Sequence, residues 1–194
     1  MRDIALKYYR IAASLLKVGV FLIIFQFIFS SYLYSQNKPA TEYQVKSAFI
    51  FNFTRFVEWP ASAFKSDDAP FVIGIIGPDP FGPYIDELVN GEKKGNHPIV
   101  IKRVADIKEE LDCHILFVNI QNPEKLKAYL AAVNQNSVLT ISDAPGFVKW
   151  GGIISFYKED SKIRLQINAG SAKAAKLDLS SKLLSLAKIY NYGG

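Results

Sequence analysis

The alternation of apolar and polar positions predicts helices and strands in turn from Thr41 onward. Thr41 and Gln44 have the spacing of a capping box, and one helical stripe follows them: Val45, Phe49, Asn52, Phe53 and Phe56. We expect this helix to end before Trp59-Pro60, because proline disfavours the α conformation in the residue ahead of it. Apolar runs bounded by turn residues predict buried strands at 71–76, 98–104, 113–120 and 137–141. Helices are predicted between them at 80–89, with Asp79 as the N-cap, at 105–111 and at 123–133.

This alternation predicts an α/β fold in which a mainly parallel sheet is flanked by helices on both faces. Residues 153–157 and 163–167 lie on either side of a polar turn and predict a C-terminal antiparallel hairpin. Two terminal helices are predicted after it, at 170–176 and 181–190. We expect the second to dock on the sheet through an apolar stripe made of Leu183, Leu184, Ala187 and Tyr190.

Residues 1–35 have the pattern of a targeting segment. Four basic residues and one acid precede residue 18, the 17 residues 18–34 carry no charge, and Ser35 is a small residue at their exit. This order indicates a secretory signal peptide, which we expect to be cleaved after Ser35. The alternative is an uncleaved membrane anchor, although crossing a bilayer takes roughly 20 apolar residues. Residues 36–40 are then a short linker, and residues 41–194 a single domain.

Charge and cysteine content exclude several classes of protein. The 194 residues carry 23 basic and 18 acidic side chains, a net charge of +5, but segment 1–35 holds four of the basic residues and one of the acids. The remaining 159 residues are close to neutral, at +2, and their basic pairs do not form the stripe typical of nucleic-acid binding. One cysteine cannot form an internal disulfide, and with two histidines it cannot complete a Cys/His zinc cluster.

The predicted strand ends lack phosphate-binding or receiver chemistry. Gly74, Gly77 and Gly82 do not match G-x-G-x-x-G, and a proline-rich turn at 77–80 explains them better. A phosphoacceptor receiver domain needs clustered carboxylates that hold a divalent ion, and the first and third strands end without them.

Asp112 and His114 form the one pair that suggests acid–base chemistry. Alternate residues of a strand share a face, so the two side chains can lie together, but no candidate nucleophile accompanies them. We interpret His114 as a structural interior histidine, His97 as a loop residue and Cys113 as an inert buried thiol. The sequence predicts no catalytic, metal-binding or cofactor-binding residue.

A dense set of aromatic residues is the remaining candidate for function. It lies in the first helix and in a glycine-flanked loop, and one helix cannot bury all of its faces. We predict that part of this set contacts a partner or a second copy, and the alternative is that all of it is core. The residues predicted to bind the partner are Phe51, Phe56, Trp59, Phe147 and Trp150.

Several sequence blocks are distinctive in combination. The first is AFIFNFTRFVEWP at 48–60, followed by FVIG at 71–74 and DPFG at 79–82. Further blocks are CHILFV at 113–118, LTISDAPGF at 139–147, Gly151-Gly152 and SSKLL at 180–184. Together these blocks resemble the YfiR family of exported regulators. They occur in order from Tyr43 to about Ile189, so the resemblance covers nearly all of the chain after the targeting segment.

The resemblance implies a periplasmic α/β protein without catalytic activity. The best-known member of the family represses a membrane-bound diguanylate cyclase through its periplasmic sensor region, and an outer-membrane lipoprotein relieves the repression. Cyclic-di-GMP output then controls biofilm formation. The resemblance also implies a homodimer, and related domains occur fused to membrane sensor kinases. Relatives often contain further cysteines that can pair, whereas Cys113 stands alone, so redox control through an internal disulfide is not carried over.

The leading hypothesis is a periplasmic regulatory binding protein that modulates a membrane-bound diguanylate cyclase or sensor kinase, with repression as the expected sign. The first alternative is a small-ligand-binding sensor module with a pocket at the carboxyl ends of the strands, near Gly77 or at 143–147. The second is an exported hydrolase, which rests only on Asp112 and His114.

Overall fold

A computed structural model describes residues 40–104, 112–133 and 136–191. The helices are α1 (Glu42–Phe56), α2 (Tyr84–Val89), α3 (Pro123–Val133), α4 (Ala169–Ala174) and α5 (Ser181–Ser185), with 3-10 helices at Ala61–Ala63 and Phe147–Trp150. The strands are β1 (Val57–Glu58), β2 (Phe71–Ile76), β3 (Lys93–Lys94), β4 (His97–Val104), β5 (Ile115–Val118), β6 (Leu139–Ser142), β7 (Ile154–Glu159), β8 (Lys162–Ile167), β9 (Asp178–Leu179) and β10 (Ala187–Ile189).

Within the described residues, eight strands form one sheet in the order β10-β8-β7-β6-β5-β2-β4-β3. Neighbouring strands from β7 to β4 are parallel, as are β10 and β8, whereas β7 with β8 and β4 with β3 are antiparallel. β1 and β9 form a separate antiparallel pair. The predicted α/β fold, with a mainly parallel sheet and an antiparallel hairpin, is confirmed.

Alternate residues of β2 divide the core into two clusters, one on each face of the sheet. Phe71, Ile73 and Ile75 belong to the cluster that includes buried residues of α1 and α2. Val72 and Ile76 belong to the cluster that includes buried residues of α3. Helices therefore cover both faces, as the continuous burial of a parallel sheet requires.

Helix α1 begins where the capping box predicts, but its buried face differs from the predicted stripe. The Gln44 N–H donates to Thr41 Oγ1 at 3.3 Å, and the Thr41 N–H donates to Gln44 Oε1 at 2.7 Å. The fully buried residues of α1 are Lys46, Ser47, Ile50, Phe53 and Thr54. Of the predicted stripe only Phe53 is fully buried, and Val45, Phe49, Asn52 and Phe56 are half-buried. The predicted stripe lies to one side of the buried face and therefore omits a buried lysine, Lys46.

Two predicted helices are shorter than expected. Helix α2 starts at Tyr84, and Asp79 is not its N-cap, because its Oδ1 accepts a hydrogen bond from the Phe81 N–H at 2.7 Å in the preceding turn. The helix predicted over 181–190 ends at Ser185, and Ala187–Ile189 is strand β10. The chain leaves the helix to pair with β8, where the Tyr190 N–H donates to the Ile167 carbonyl at 2.7 Å.

Two further predictions fall outside the described residues. They are the helix over 105–111 and the targeting segment at 1–35.

Candidate functional site

A buried lysine joins the first turns of α1 to the carboxyl end of β6. The Lys46 side chain is 3% exposed, and its Nζ lies 2.7 Å from Asp143 Oδ2 and 2.6 Å from Glu42 Oε1. Glu42 lies one turn before Lys46 on α1, and Asp143 directly follows β6. An ammonium buried without a partner would cost on the order of several kcal/mol, so the two carboxylates are what allow Lys46 to lie in the core.

Tyr43 and Lys158 extend this cluster. The Tyr43 hydroxyl donates to Asp143 Oδ2 at 3.1 Å, and Lys46 Nζ lies 4.4 Å from the centre of the Tyr43 ring. Lys158, in β7, forms an ion pair with the second carboxylate oxygen of Glu42. We name this cluster the Lys46 network; its members are Glu42, Tyr43, Lys46, Asp143 and Lys158. It connects α1, the end of β6 and the hairpin strand β7.

The network stabilises its own charged forms. Hydrogen bonds from Lys158 and from Lys46 lower the pKa of Glu42 below its ordinary value. Burial lowers the pKa of Lys46, but its hydrogen bonds to Asp143 and Glu42 outweigh burial, and the net pKa is raised. Burial also raises the pKa of the Tyr43 hydroxyl, helped by the charge of Asp143. At neutral pH Glu42 and Lys46 are therefore charged and Tyr43 is a neutral hydrogen-bond donor.

The Lys46 network forms one wall of a groove of about 440 Å³. The turn after β6 and the β7–β8 hairpin form the other walls. The lining residues are Glu42, Lys46, Asp143, Ala144, Pro145, Gly146, Ser155, Phe156, Tyr157, Lys158, Ile163 and Gln166. This groove lies at one of the two places where the sequence predicts a ligand pocket, 143–147. About half of the lining residues are charged or polar, so the groove is more polar than a typical small-molecule site.

At the other predicted pocket, Gly77, the strand end is closely packed. Gly77 has a φ of +85°, and a Cβ there would lie 2.2 Å from the backbone oxygen of Asn119. Asn119 also donates its side-chain amide to the Pro78 carbonyl at 2.7 Å. Glycine is required here for close contact with the neighbouring chain segment and not for contact with a phosphate.

The groove offers charged and hydrogen-bonding groups in an arrangement suited to binding. A lysine that acts as a base or nucleophile must lose its proton near neutral pH, whereas the pKa of Lys46 is raised. Within residues 40–104, 112–133 and 136–191, no group of three or more His, Cys, Asp and Glu side chains is placed to hold a metal ion.

Asp112 and His114, the pair on which the hydrolase alternative rests, have different partners in the structure. His114 is buried, its Nδ1 accepts a hydrogen bond from the Val72 N–H at 3.1 Å, and its ring lies 4.6 Å from those of Phe64 and Phe71. Asp112 is exposed and forms an ion pair with Lys65. Burial lowers the pKa of His114, which keeps the imidazole neutral. The predicted interior position of His114 is confirmed, and its structural role stays a prediction.

Cys113 and His97 have structural surroundings as well. Cys113 is buried, and burial raises the pKa of its thiol to about 12. The nucleophilic thiolate is then scarcely populated at neutral pH, as expected for an inert thiol. The ring of His97 stacks on Phe64 at 4.0 Å between centroids, and its Nδ1 lies 2.7 Å from the Ala69 carbonyl oxygen. His97 begins β4 and is not a loop residue.

The five aromatic residues predicted to bind a partner lie on both faces of the sheet. Phe51, Phe56 and Trp59 pack with the cluster on the α1 side, and Phe147 and Trp150 pack with the cluster on the α3 side. A single flat surface therefore does not contain all five. Their role in partner binding remains a prediction.

The exposure of these aromatic rings divides them again. Phe147 is fully buried and Trp59 is 8% exposed, so both support the core. The other three are half-buried, and each ring has a cationic group nearby. The centre of the Phe51 ring lies 4.9 Å from Arg55 Cζ. The centre of the Phe56 ring lies 5.3 Å from Lys182 Nζ, and that of the Trp150 ring 5.2 Å from Lys127 Nζ. These three rings retain surface that a partner can contact.

Sequence reasoning missed the Lys46 network, although one local signal was present. Lys46 stands four residues before Ile50 and seven before Phe53, which places it on the same helical face as two core residues. Glu42 stands four residues before Lys46, the spacing of a helical ion pair. Nothing local indicates Asp143, because its partner is 97 residues away in the chain.

The fold and the groove define the class of this protein as an α/β domain whose candidate site is a binding groove at the carboxyl end of a mainly parallel sheet. The chain belongs to the YfiR/HmsC-like family, whose family model matches residues 43–188. Membership indicates a periplasmic regulator linked to cyclic-di-GMP signalling, in a family that is regulatory and generally acts on a membrane signalling protein.

A comparison with curated proteins finds no significant match. Across residues 40–104, 112–133 and 136–191, no helix is both long and apolar enough to span a bilayer.

Proposed function

We propose that this chain is an exported, non-catalytic regulator that represses a membrane-bound diguanylate cyclase or sensor kinase by binding its extracytoplasmic domain. The observation that carries the proposal is the family match over residues 43–188. The targeting pattern of residues 1–35 supports delivery across the membrane. The resemblance adds two partners to the proposal: a second copy in a homodimer, and an outer-membrane lipoprotein that sequesters the regulator.

Repression without catalysis requires a difference in affinity between two conformations of the target. The regulator binds the inactive conformation more tightly, so binding shifts the target toward that state. A shift from almost fully active to almost fully inactive takes an affinity ratio of about 10,000. Sequestration by a third protein lowers the free concentration of the regulator and returns the target to activity.

The proposal is tested by deleting the gene in its native host and measuring cyclic-di-GMP and kinase output. We expect output to rise on deletion and to fall again when the full chain is supplied. A chain without residues 1–35 should fail to restore repression, because it stays in the cytoplasm. Unchanged cyclic-di-GMP and kinase output after deletion would contradict the proposal.

Export and processing are tested on the protein recovered from the native host. A mature protein that begins at Gln36 in the periplasmic fraction supports a signal peptide cleaved after Ser35. A full-length protein in the membrane fraction supports the uncleaved anchor instead.

A second candidate function is favoured by the groove beside the Lys46 network, since it lies where a ligand sensor would have its pocket. Under this hypothesis, a small envelope solute binds the groove and changes the affinity of the chain for its partner. A metabolite screen by thermal shift tests it, with Tyr157→Ala and Gln166→Ala as lining variants and Gln121→Ala as a control outside the groove. A hit that the lining variants lose and the control keeps supports the sensor.

A further inference from the structure

Strand β10 leaves one edge of the sheet open. It is the terminal strand of the sheet in the part of the chain that the structure describes, and it pairs with β8 alone. The Tyr190 N–H donates to the Ile167 carbonyl, so even-numbered residues turn their backbone groups toward β8. Ala187 and Ile189 therefore turn their N–H and carbonyl groups outward, where another strand can pair with them.

The large exposed apolar side chains of the described residues lie at this same edge. Leu186, directly before β10, is 61% exposed, and Ile189 is 38% exposed. Ile189 is paired in register with Ile167, which is fully buried, so its side chain extends the apolar face of the sheet to the open edge. Exposed apolar groups beside unpaired backbone groups are typical of a strand-addition site.

The segment of the chain that contains this edge is basic. Residues 158–190 carry seven basic and three acidic side chains, whereas residues 36–157 carry 12 basic and 14 acidic ones. All seven of those basic side chains are exposed, and two of them, Lys158 and Arg164, pair with the carboxylates of Glu42 and Glu159. Lys188 occupies the middle of β10, and by register it shares a face of the sheet with Gln166. The two sides of β10 therefore differ, with Ala187 and Ile189 on the apolar side and Lys188 on the basic side.

A second copy of the chain fits this edge poorly. Antiparallel pairing about a two-fold axis at the centre of β10 would place each Lys188 opposite its counterpart, and like charges directly opposite destabilise a strand pair. A strand with alternating apolar and acidic residues fits both sides, because its apolar residues meet Ile189 while its carboxylates meet Lys188.

We infer that the open edge of β10 binds an extended segment of the membrane partner's extracytoplasmic domain, in which apolar and acidic residues alternate. This inference rests on the proposed function and names the surface that would carry it. Backbone hydrogen bonds to Ala187 and Ile189 supply the pairing, and Lys188 selects acidic strands over a second copy.

The test uses the full chain in its native host, with the photoreactive residue p-benzoylphenylalanine placed at Leu186 or, as a control, at Lys93 on the opposite sheet edge. Irradiation at position 186 should crosslink the chain to an acidic, extended segment of a membrane signalling protein, and position 93 should not. In the 186 background, Lys188→Glu should lower the crosslink yield about tenfold, and Lys188→Arg should preserve it. A crosslink from position 186 to a second copy, or to a segment without acidic residues, would overturn the inference.

A second pair of variants tests the backbone. Ile189→Pro removes an outward N–H and leaves the Tyr190–Ile167 hydrogen bond in place, whereas Ile189→Val keeps the N–H. We expect Ile189→Pro to lose repression and Ile189→Val to retain it, at equal protein levels. If Ile189→Pro fails to accumulate, Lys188→Glu carries the test, because it alters one exposed side chain.

The outcomes separate this inference from the proposed function. If deletion of the gene leaves signalling output unchanged, the proposed function fails. If deletion changes output while folded Lys188→Glu and Ile189→Pro proteins still repress fully, the proposed function stands and the role of the β10 edge is refuted.

Discussion

Lys46 Nζ and Asp143 Oδ2 lie 2.7 Å apart, although 97 residues separate the two in the chain. This contact fastens the first turns of α1 to the carboxyl end of β6, beside the groove. The Lys46 side chain is buried, and the Asp143 side chain is partly exposed. Lys46 therefore belongs to both the groove and the core, so a substitution that removes its contact with Asp143 changes both.

Replacing Asp143 with alanine should lower the free energy of unfolding by about 2 kcal/mol or more, because Lys46 remains buried with Glu42 as its remaining carboxylate partner. Urea unfolding followed by circular dichroism measures the loss. Adding Lys46→Met to Asp143→Ala should recover most of it, since no buried charge is then left unpaired. Glu124→Gln is the matched control, because the pair of Glu124 with Lys127 is exposed, at 83% and 43%. A loss for Asp143→Ala no larger than that of the control would contradict the assignment.

Glu42 should make the folded protein sensitive to acid. Its folded pKa is lowered from 4.5 by Lys158 and Lys46, so the unfolded chain takes up a proton at higher pH than the folded one. The stability that Glu42 contributes is present above pH 4.5 and is lost as pH falls through the folded pKa. Glu42→Gln should therefore be less stable than the wild type at pH 7, and the difference should shrink below pH 4.5. A difference in free energy of unfolding between the two proteins that stays constant across this pH range would refute the prediction.

His114 should add a second pH dependence, nearer to neutrality. Burial holds its folded pKa below 6.5, so the folded state binds the proton less tightly than the unfolded chain. The stability this provides is present above pH 6.5 and declines as pH falls toward the folded pKa. His114→Phe keeps an aromatic ring between Phe64 and Phe71 but cannot titrate, so its stability should change less between pH 7.5 and pH 5. An NMR titration that places the His114 pKa at or above 6.5 would contradict this account.

Gly152 should tolerate no side chain while Phe147 is present. A Cβ at Gly152 would lie 2.2 Å from Phe147 Cε1, and Phe147 is fully buried and cannot move aside cheaply. We expect Gly152→Ala to lower the free energy of unfolding by about 1–3 kcal/mol. The double variant Gly152→Ala with Phe147→Leu should lose less than the sum of its single changes, since the shorter side chain makes room. Strictly additive losses would show that the two sites do not meet.

The half-buried aromatic rings allow a test of the predicted partner surface. Phe51 and Trp150 lie on opposite sides of the sheet, so a partner domain seated on one leaves the other free. We expect one of Phe51→Ala and Trp150→Ala to weaken repression in the native host, and the other to leave it unchanged. Thermal unfolding of both proteins checks that the fold is intact. Full repression by both folded variants would exclude Phe51 and Trp150 as the contact.

The regular part of this fold follows from local pattern. Helix α3 has the predicted bounds, Pro123–Val133, because a proline at its start and an apolar stripe agree. Strand β2 also has its predicted bounds, Phe71–Ile76, because an apolar run ending in glycine suits a fully buried strand. In both cases the pattern of neighbouring residues is enough to indicate the element, although the backbone partners of β2 are the distant strands β4 and β5.

The elements that differ from prediction depend on distant partners. Ala187–Ile189 continues an apolar helical stripe in sequence, yet it becomes β10 because β8 offers backbone groups that water would otherwise occupy. Lys46 is polar and yet buried, because Asp143, which directly follows β6, lies 2.7 Å from its Nζ. The position of the groove could be predicted from the strand end at which it lies. Its charged residues could not, because they come together only in the folded chain.

The position of α1 has a consequence for folding speed. This first helix packs mainly on α2 and β1, which are nearer in the chain, but its contacts with β8 and the pair of Lys46 with Asp143 span about half of the chain or more. Contacts this distant in sequence slow folding, since loop-closure entropy must be lost before they form. We therefore expect the contacts of α1 with β8 and Asp143 to form late, and until then the apolar surface that they cover is open to proteases and chaperones.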